Sequence, residues 1–141
     1  MLRPLFIIWR ECNDTGIALI DEQHRGIVSI INTFYYLAGM TKRDKKLYLQ
    51  IIATIFDYSS IHFATEEGML EACEYSDIEN HKELHKTLLL DMERIKHDII
   101  AENDPTLLLD FLKKWWIEHI NEKDMLYAPH LLARVPITHS I

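Results

Sequence analysis

Apolar residues recur along this chain at steps of three and four, and four such stripes can be followed. The first has Asp21 in the N-cap role and runs through Ile20, His24, Ile27, Ile31 and Phe34, one face of a helix. A second, from about Asp44 to about Ala72, carries Leu47, Ile51, Ile55, Tyr58, His62 and Glu66. The third starts near Asp77 and aligns Ile78, His81, His85, Leu88, Met92, Ile95 and Ile99. The fourth opens with Asp104-Pro105, a cap followed by proline at the first helical position, and continues through Leu108, Leu112, Trp115, Trp116 and His119. Connectors of about four residues normally join antiparallel neighbours. The pattern therefore predicts an all-α, up-down-up-down antiparallel four-helix bundle forming a single domain over 1–141. An irregular N-terminal arm occupies 1–19, the bundle about 20–125, and a tail 126–141. The tail contains Pro129 and Pro136 and is expected to pack over the bundle or trail off it.

Composition narrows the function classes. With 15 basic against 22 acidic residues the net charge is −7, and no basic run is clustered. That argues against a nucleic-acid partner or an anionic membrane surface. The apolar run Leu5–Trp9 is too short for a signal-peptide core or a membrane span. Cys12 and Cys73 form no ligand motif and read as reduced thiols, which points to a cytoplasmic protein.

Histidine changes the picture. Eight are present, and five of them fall in register with the apolar stripes. One inward histidine is commonly a core residue bonded to a carbonyl, but five accompanied by acids are not explained that way. His24, His62, Glu66, His81, His85 and His119 all point inward. Spacing of four puts His62 over Glu66 and His81 over His85, as chelation of a metal requires. Asp124 follows His119 by five, which on an ideal helix is about 140° off the same face. It reaches the same site only if the helix distorts or ends there, or if its side chain bends round. Glu67, one step off the stripe, is expected in solvent.

Five imidazoles and two carboxylates exceed the needs of one zinc ion. A nitrogen and oxygen set without cysteine suits iron or manganese, and bundles can hold two such ions between helices. Two six-coordinate ions offer about twelve positions. Five imidazoles, two bridging carboxylates and one bridging oxygen leave a single position open for a small ligand.

Asp21-Glu-Gln-His24, His62-x3-Glu66, His81-x3-His85 and His119-x4-Asp124, with Trp9 upstream, resemble the bacterial branch of the hemerythrins over about residues 9–127. The resemblance implies a non-haem centre of two iron ions with an oxo or hydroxo bridge. His81, His85 and His119 would hold one iron, and His24 and His62 the other, which keeps the open position. Glu66 and Asp124 would bridge the two. Dioxygen is the implied ligand, held in a pocket with Ile27, Phe63, Trp115 and Trp116 as walls. A tryptophan at position 116 departs from the smaller aliphatic residue usual in similar proteins. Such a residue could narrow the pocket or swing out and admit solvent.

The remaining candidates carry less. His97 lies opposite the Ile95/Ile99 stripe and is expected in solvent, and His130 and His139 fall in the tail without partners at ligand spacing. The run from His81 to His85 lacks the glutamate of the zinc-protease H-E-x-x-H, because its second residue is Lys82. Oxygen binding for carriage or storage is the function expected. The alternative is the oxygen- or redox-sensing input domain of a signalling protein. Oxidase or peroxide- or nitric-oxide-scavenging activity ranks last, since no acid or base beyond the ligands supports it.

Overall fold

The computed structural model describes residues 4–39, 45–102 and 104–134, apart from the side chains of Trp116 and Ile117. Four helical rods form the molecule. They are α1 (Ala18–Ala38), α2 (Lys45–Ala72), α3 (Ile78–Glu102) and a fourth rod built from three consecutive pieces. Those pieces are α4 (Thr106–Trp115), a π-helical segment (Trp116–Lys123) and α5 (Asp124–Leu132). Each rod touches the next, and α4 returns to α1, so the apolar stripes face a common interior. No strand occurs among the described residues.

The stripes bury as expected in α1, where Ile20, His24, Ile27, Ile31 and Phe34 are all inside. In α2 the register is shifted by one residue at two points, the first at Leu47, which is half-buried while Tyr48 is enclosed. Tyr58, assigned to the stripe, is half-buried, while Ser59 beside it is fully enclosed. The reason lies across the interface: a side chain at position 26 would collide with the Tyr58 hydroxyl, and Gly26 leaves that space. The phenol rests on α1 rather than in the core.

Asp21 is not an N-cap. The helix begins at Ala18 with Ile17 before it, and the buried Asp21 carboxylate turns back onto the arm. It accepts hydrogen bonds from the Thr15 amide (2.8 Å), the Thr15 hydroxyl (2.7 Å) and the Gly16 amide (3.1 Å). Gly16 adopts φ +87°, a conformation that a side chain would strain. The arm is thus pinned at its base. Farther out, the Asn32 amide pairs with both backbone groups of Ile7, at 2.8 and 2.9 Å, and Phe6 stacks on Tyr35.

The expected tail is also corrected. Residues 126–132 continue the fourth rod as helix despite Pro129, because Tyr127, Ala128 and Leu131 are buried there. His130, on this helix, donates its Nε2–H to the Cys73 carbonyl at 2.9 Å. His97 is exposed. His139 and Pro136 lie outside the described residues.

Two apolar clusters fill the interior. The larger includes Ile27, Ile31, Phe34, Ile52, Ile55, Phe63, Met92, Leu112 and Trp115. The smaller comprises Ile17, Ile20, Leu70, Tyr127 and Leu131. Between them runs a layer of buried polar side chains.

Candidate metal centre

Each helix delivers its polar residue to that layer by simple turn geometry. His24 lies one turn from Ile20 on one side and Ile27 on the other, and Glu66 one turn from both His62 and Leu70. His81 and His85 occupy successive turns of α3. All seven side chains named from the sequence meet here. His24, His62, Glu66 and Asp124 are fully buried, and His81, His85 and His119 no more than 5% exposed.

Asp124 arrives by backbone distortion. In the π-helical segment hydrogen bonds run from residue i to i+5, so the amide of Asp124 bonds to the carbonyl of His119. A wider turn brings residues five apart onto nearly one face, which the α-helix does not.

The donor atoms form two groups, each within 4.8 Å: His24, His62, Glu66 and Asp124, and Glu66, His81, His85 and His119. The carboxylates divide their oxygens between them. Glu66 Oε1 is 2.9 Å from His62 Nε2 and 3.6 Å from His24 Nε2, while its Oε2 is 3.2 Å from His81 and 3.1 Å from His85. Asp124 Oδ2 is 3.0 Å from His24, and Oδ1 is 3.3 Å from His81 and 3.2 Å from His119. Five imidazoles thus present Nε2 to two carboxylates, each facing both ways.

The chemistry of these atoms asks for cations. His85 Nε2, His119 Nε2 and Asp124 Oδ1 are buried without a hydrogen-bond partner, although other donor atoms stand close. All three residues belong to the donor groups just described. Such orphaned atoms are costly unless a ligand meets them. Protons partly fill the role. Burial alone would lower His24, but hydrogen bonds to Asp124 and Glu66 outweigh it and raise the imidazole to about 9. His81 likewise rises to about 9, burial being overcome by Asp124 and Glu66. Burial opposes ionisation of Glu66, but His62, His24 and His81 hold it well below the usual carboxylate range. Asp124 is lowered too, against burial and the repulsion of Glu66, by His119 and His24.

Three side chains that the sequence reading did not place at the site complete it. The His62 Nδ1–H donates to Gln23 Oε1 at 2.7 Å, leaving Nε2 as the free lone pair. Gln23 in turn donates to Thr65, whose hydroxyl bonds to the Ile61 carbonyl. Glu67 is not simply solvated: its carboxylate lies 3.6 Å from His85 Nδ1, because the position beside Glu66 on α2 faces α3. Tyr127 donates to Glu66 Oε1 at 2.9 Å, and burial followed by the nearby carboxylates raises its phenol. Gln23 sits inside the Asp21–His24 motif, which was its one visible signal. Tyr127 was hidden by the assignment of its segment to a tail.

On the side of the larger cluster, Ile27, Phe63 and Trp115 are each 2% exposed. Phe63 stacks on His85 at 3.9 Å and meets Trp115 and His119 edge-on at 5.9 and 5.8 Å. The Trp116 side chain lies outside the described residues. A groove of about 250 Å³ between α3 and the fourth rod is lined by Leu84, Leu88, Phe111, Trp115 and His119 among others, so the site approaches solvent there.

The comparisons agree with this geometry. Residues 15–131 match the family described as "Hemerythrin HHE cation binding domain". A bacteriohemerythrin of Clostridium acetobutylicum is 32% identical over 127 residues, covering 85% of this chain and 97% of that protein. One from Stenotrophomonas maltophilia is 27% identical over 130 residues, covering 92% and 84%. In fold, a solved wild-type hemerythrin superimposes with a TM-score of 0.78 at 24% identity, over 89% of this chain and 98% of that one. A pair of facing donor groups between four antiparallel helices, and a family match spanning all of them, lead to one conclusion: the chain belongs to the hemerythrin family.

Proposed function

We propose that the chain binds two iron ions and, through them, dioxygen. The observation that carries this reading is the division of oxygens by Glu66 and Asp124 between two imidazole groups. A carboxylate serving one ion has no need to face two donor sets. His81, His85 and His119 would hold one ion and His24 and His62 the other, the second set having one imidazole fewer and so the open position. When bound, the pair of ions would supply the electrons that reduce dioxygen at that position. The rest is done by the chain itself. Gln23 orients the imidazole of His62, and the Glu67 carboxylate faces His85 Nδ1 at 3.6 Å. Tyr127 fixes the rotation of the Glu66 carboxylate. Ile27, Phe63 and Trp115 exclude water from the open side.

Metal analysis of iron-replete protein should give two ions per chain, and one or fewer would overturn the reading. Reduced, iron-loaded protein mixed with dioxygen should develop a visible absorption band. A band that disappears on deoxygenation assigns the protein to carriage or storage. One that passes quickly to a stable oxidised spectrum assigns it to redox sensing.

A further inference from the structure

The layer above the metal centre is not wholly apolar. Ser59 stands three residues before His62 and four before Phe63, so it lies one turn, about 4.5 Å along the axis, above the gap between them. In antiparallel helices the matching positions are Ile27, three after His24, and Trp115, four before His119. These two share the larger cluster with Phe63. Ser59 therefore belongs to the wall over the side of the centre completed by His24 and His62.

Its hydroxyl is fully buried and makes no hydrogen bond. Four other hydroxyls within these helices do otherwise. Thr33, Thr54, Ser60 and Thr65 each donate to the carbonyl four residues back, at 2.8–2.9 Å. That local bond is open to any helical serine. Ser59 leaves it unmade in the most enclosed environment of the five, where an unpaired hydroxyl costs most. The other orphaned hydroxyl of α2, on Tyr48, lies about 16 Å away along the helix and belongs elsewhere.

We infer that Ser59 is a hydrogen-bond donor to the small ligand held at the open position beside His24 and His62. The inference rests on the proposed function and adds a specificity determinant to it. A ligand with an exposed lone pair, anionic or readily polarised, is selected over an apolar gas of equal size. Trp115 brings a second unpaired donor, Nε1, to the same layer.

Azide, a small anion with an acceptor atom, is the probe. It would be titrated into iron-loaded, oxidised protein and followed by visible absorption and by the infrared stretch of the bound ion. Ser59→Ala should keep the iron content and the thermal stability, since it removes only an unpaired group. It should weaken azide about three- to tenfold, the worth of one hydrogen bond, and shift the stretch. Unchanged affinity would overturn the inference, as would weaker binding with an unmoved stretch, which would assign Ser59 to packing alone. Wild-type protein that holds two irons but no azide would overturn it while leaving the iron assignment intact. Failure to hold two irons would remove the reading beneath it.

Discussion

His62 is held by an amide from the neighbouring helix, and that contact decides which of its nitrogens can serve a metal. With Nδ1–H committed to Gln23, Nε2 is left as the lone pair that faces Glu66. Gln23→Leu removes the acceptor and frees the ring. Metal affinity should fall about 10- to 100-fold, measured by competition with a chromophoric chelator. An unchanged affinity would mean that packing alone orients the ring. The residue types of the site were legible because histidine and glutamate are rarely buried without cause. Gln23 and Glu67 were not, because polar side chains at such positions usually meet solvent. Only the position of the adjacent helix shows that one faces His62 and the other His85.

Among the elements, the fourth rod departs most from the sequence reading. Its apolar stripe marks a helix, and the five-residue step to Asp124 marks a distortion without saying which kind. The π-helical segment supplies it, replacing a four-residue turn by a five-residue one. Deleting the exposed Glu122 should therefore restore an ordinary turn and keep Asp124 on the site. Inserting one alanine after Glu122 adds about 100° and carries it away. Metal content should stay at two per chain in the deletion and drop in the insertion, as read by elemental analysis. The reverse pattern would show that the widened backbone itself is required. The continuation into α5 was illegible for another reason. Proline inside a helix costs about 3 kcal/mol, which usually ends it. Burying large side chains such as Tyr127 and Leu131 returns about 1.5–3 kcal/mol each, and no local pattern reveals that they have a cluster to enter.

At the scale of the whole molecule, a charged layer separates two apolar clusters, and protonation tunes its stability. His24 and His81 titrate near 9 in the fold, against an ordinary 6.5. Raised values mean that their contribution is complete below about 6.5 and lost as pH climbs through about 9. The depressed Glu66 and Asp124 act oppositely, their contribution disappearing as pH falls through and below the carboxylate range. Metal-free protein should accordingly lose stability in urea titrations between about pH 6.5 and 9. Metal-loaded protein should not, since bound ions have displaced those protons. A loss of equal size in both would show that the imidazoles remain protonated when loaded. His24 and Asp124 meet although 100 residues separate them, and His62, His81 and His119 join the same knot. An ion gripping these residues is a reversible cross-link that exists only in the folded chain, so its binding free energy adds to that of folding. Removing the metal should therefore weaken the fold and lower the midpoint of the urea transition while leaving its steepness unchanged. Iron in this bundle would be its clasp as much as its reactive centre.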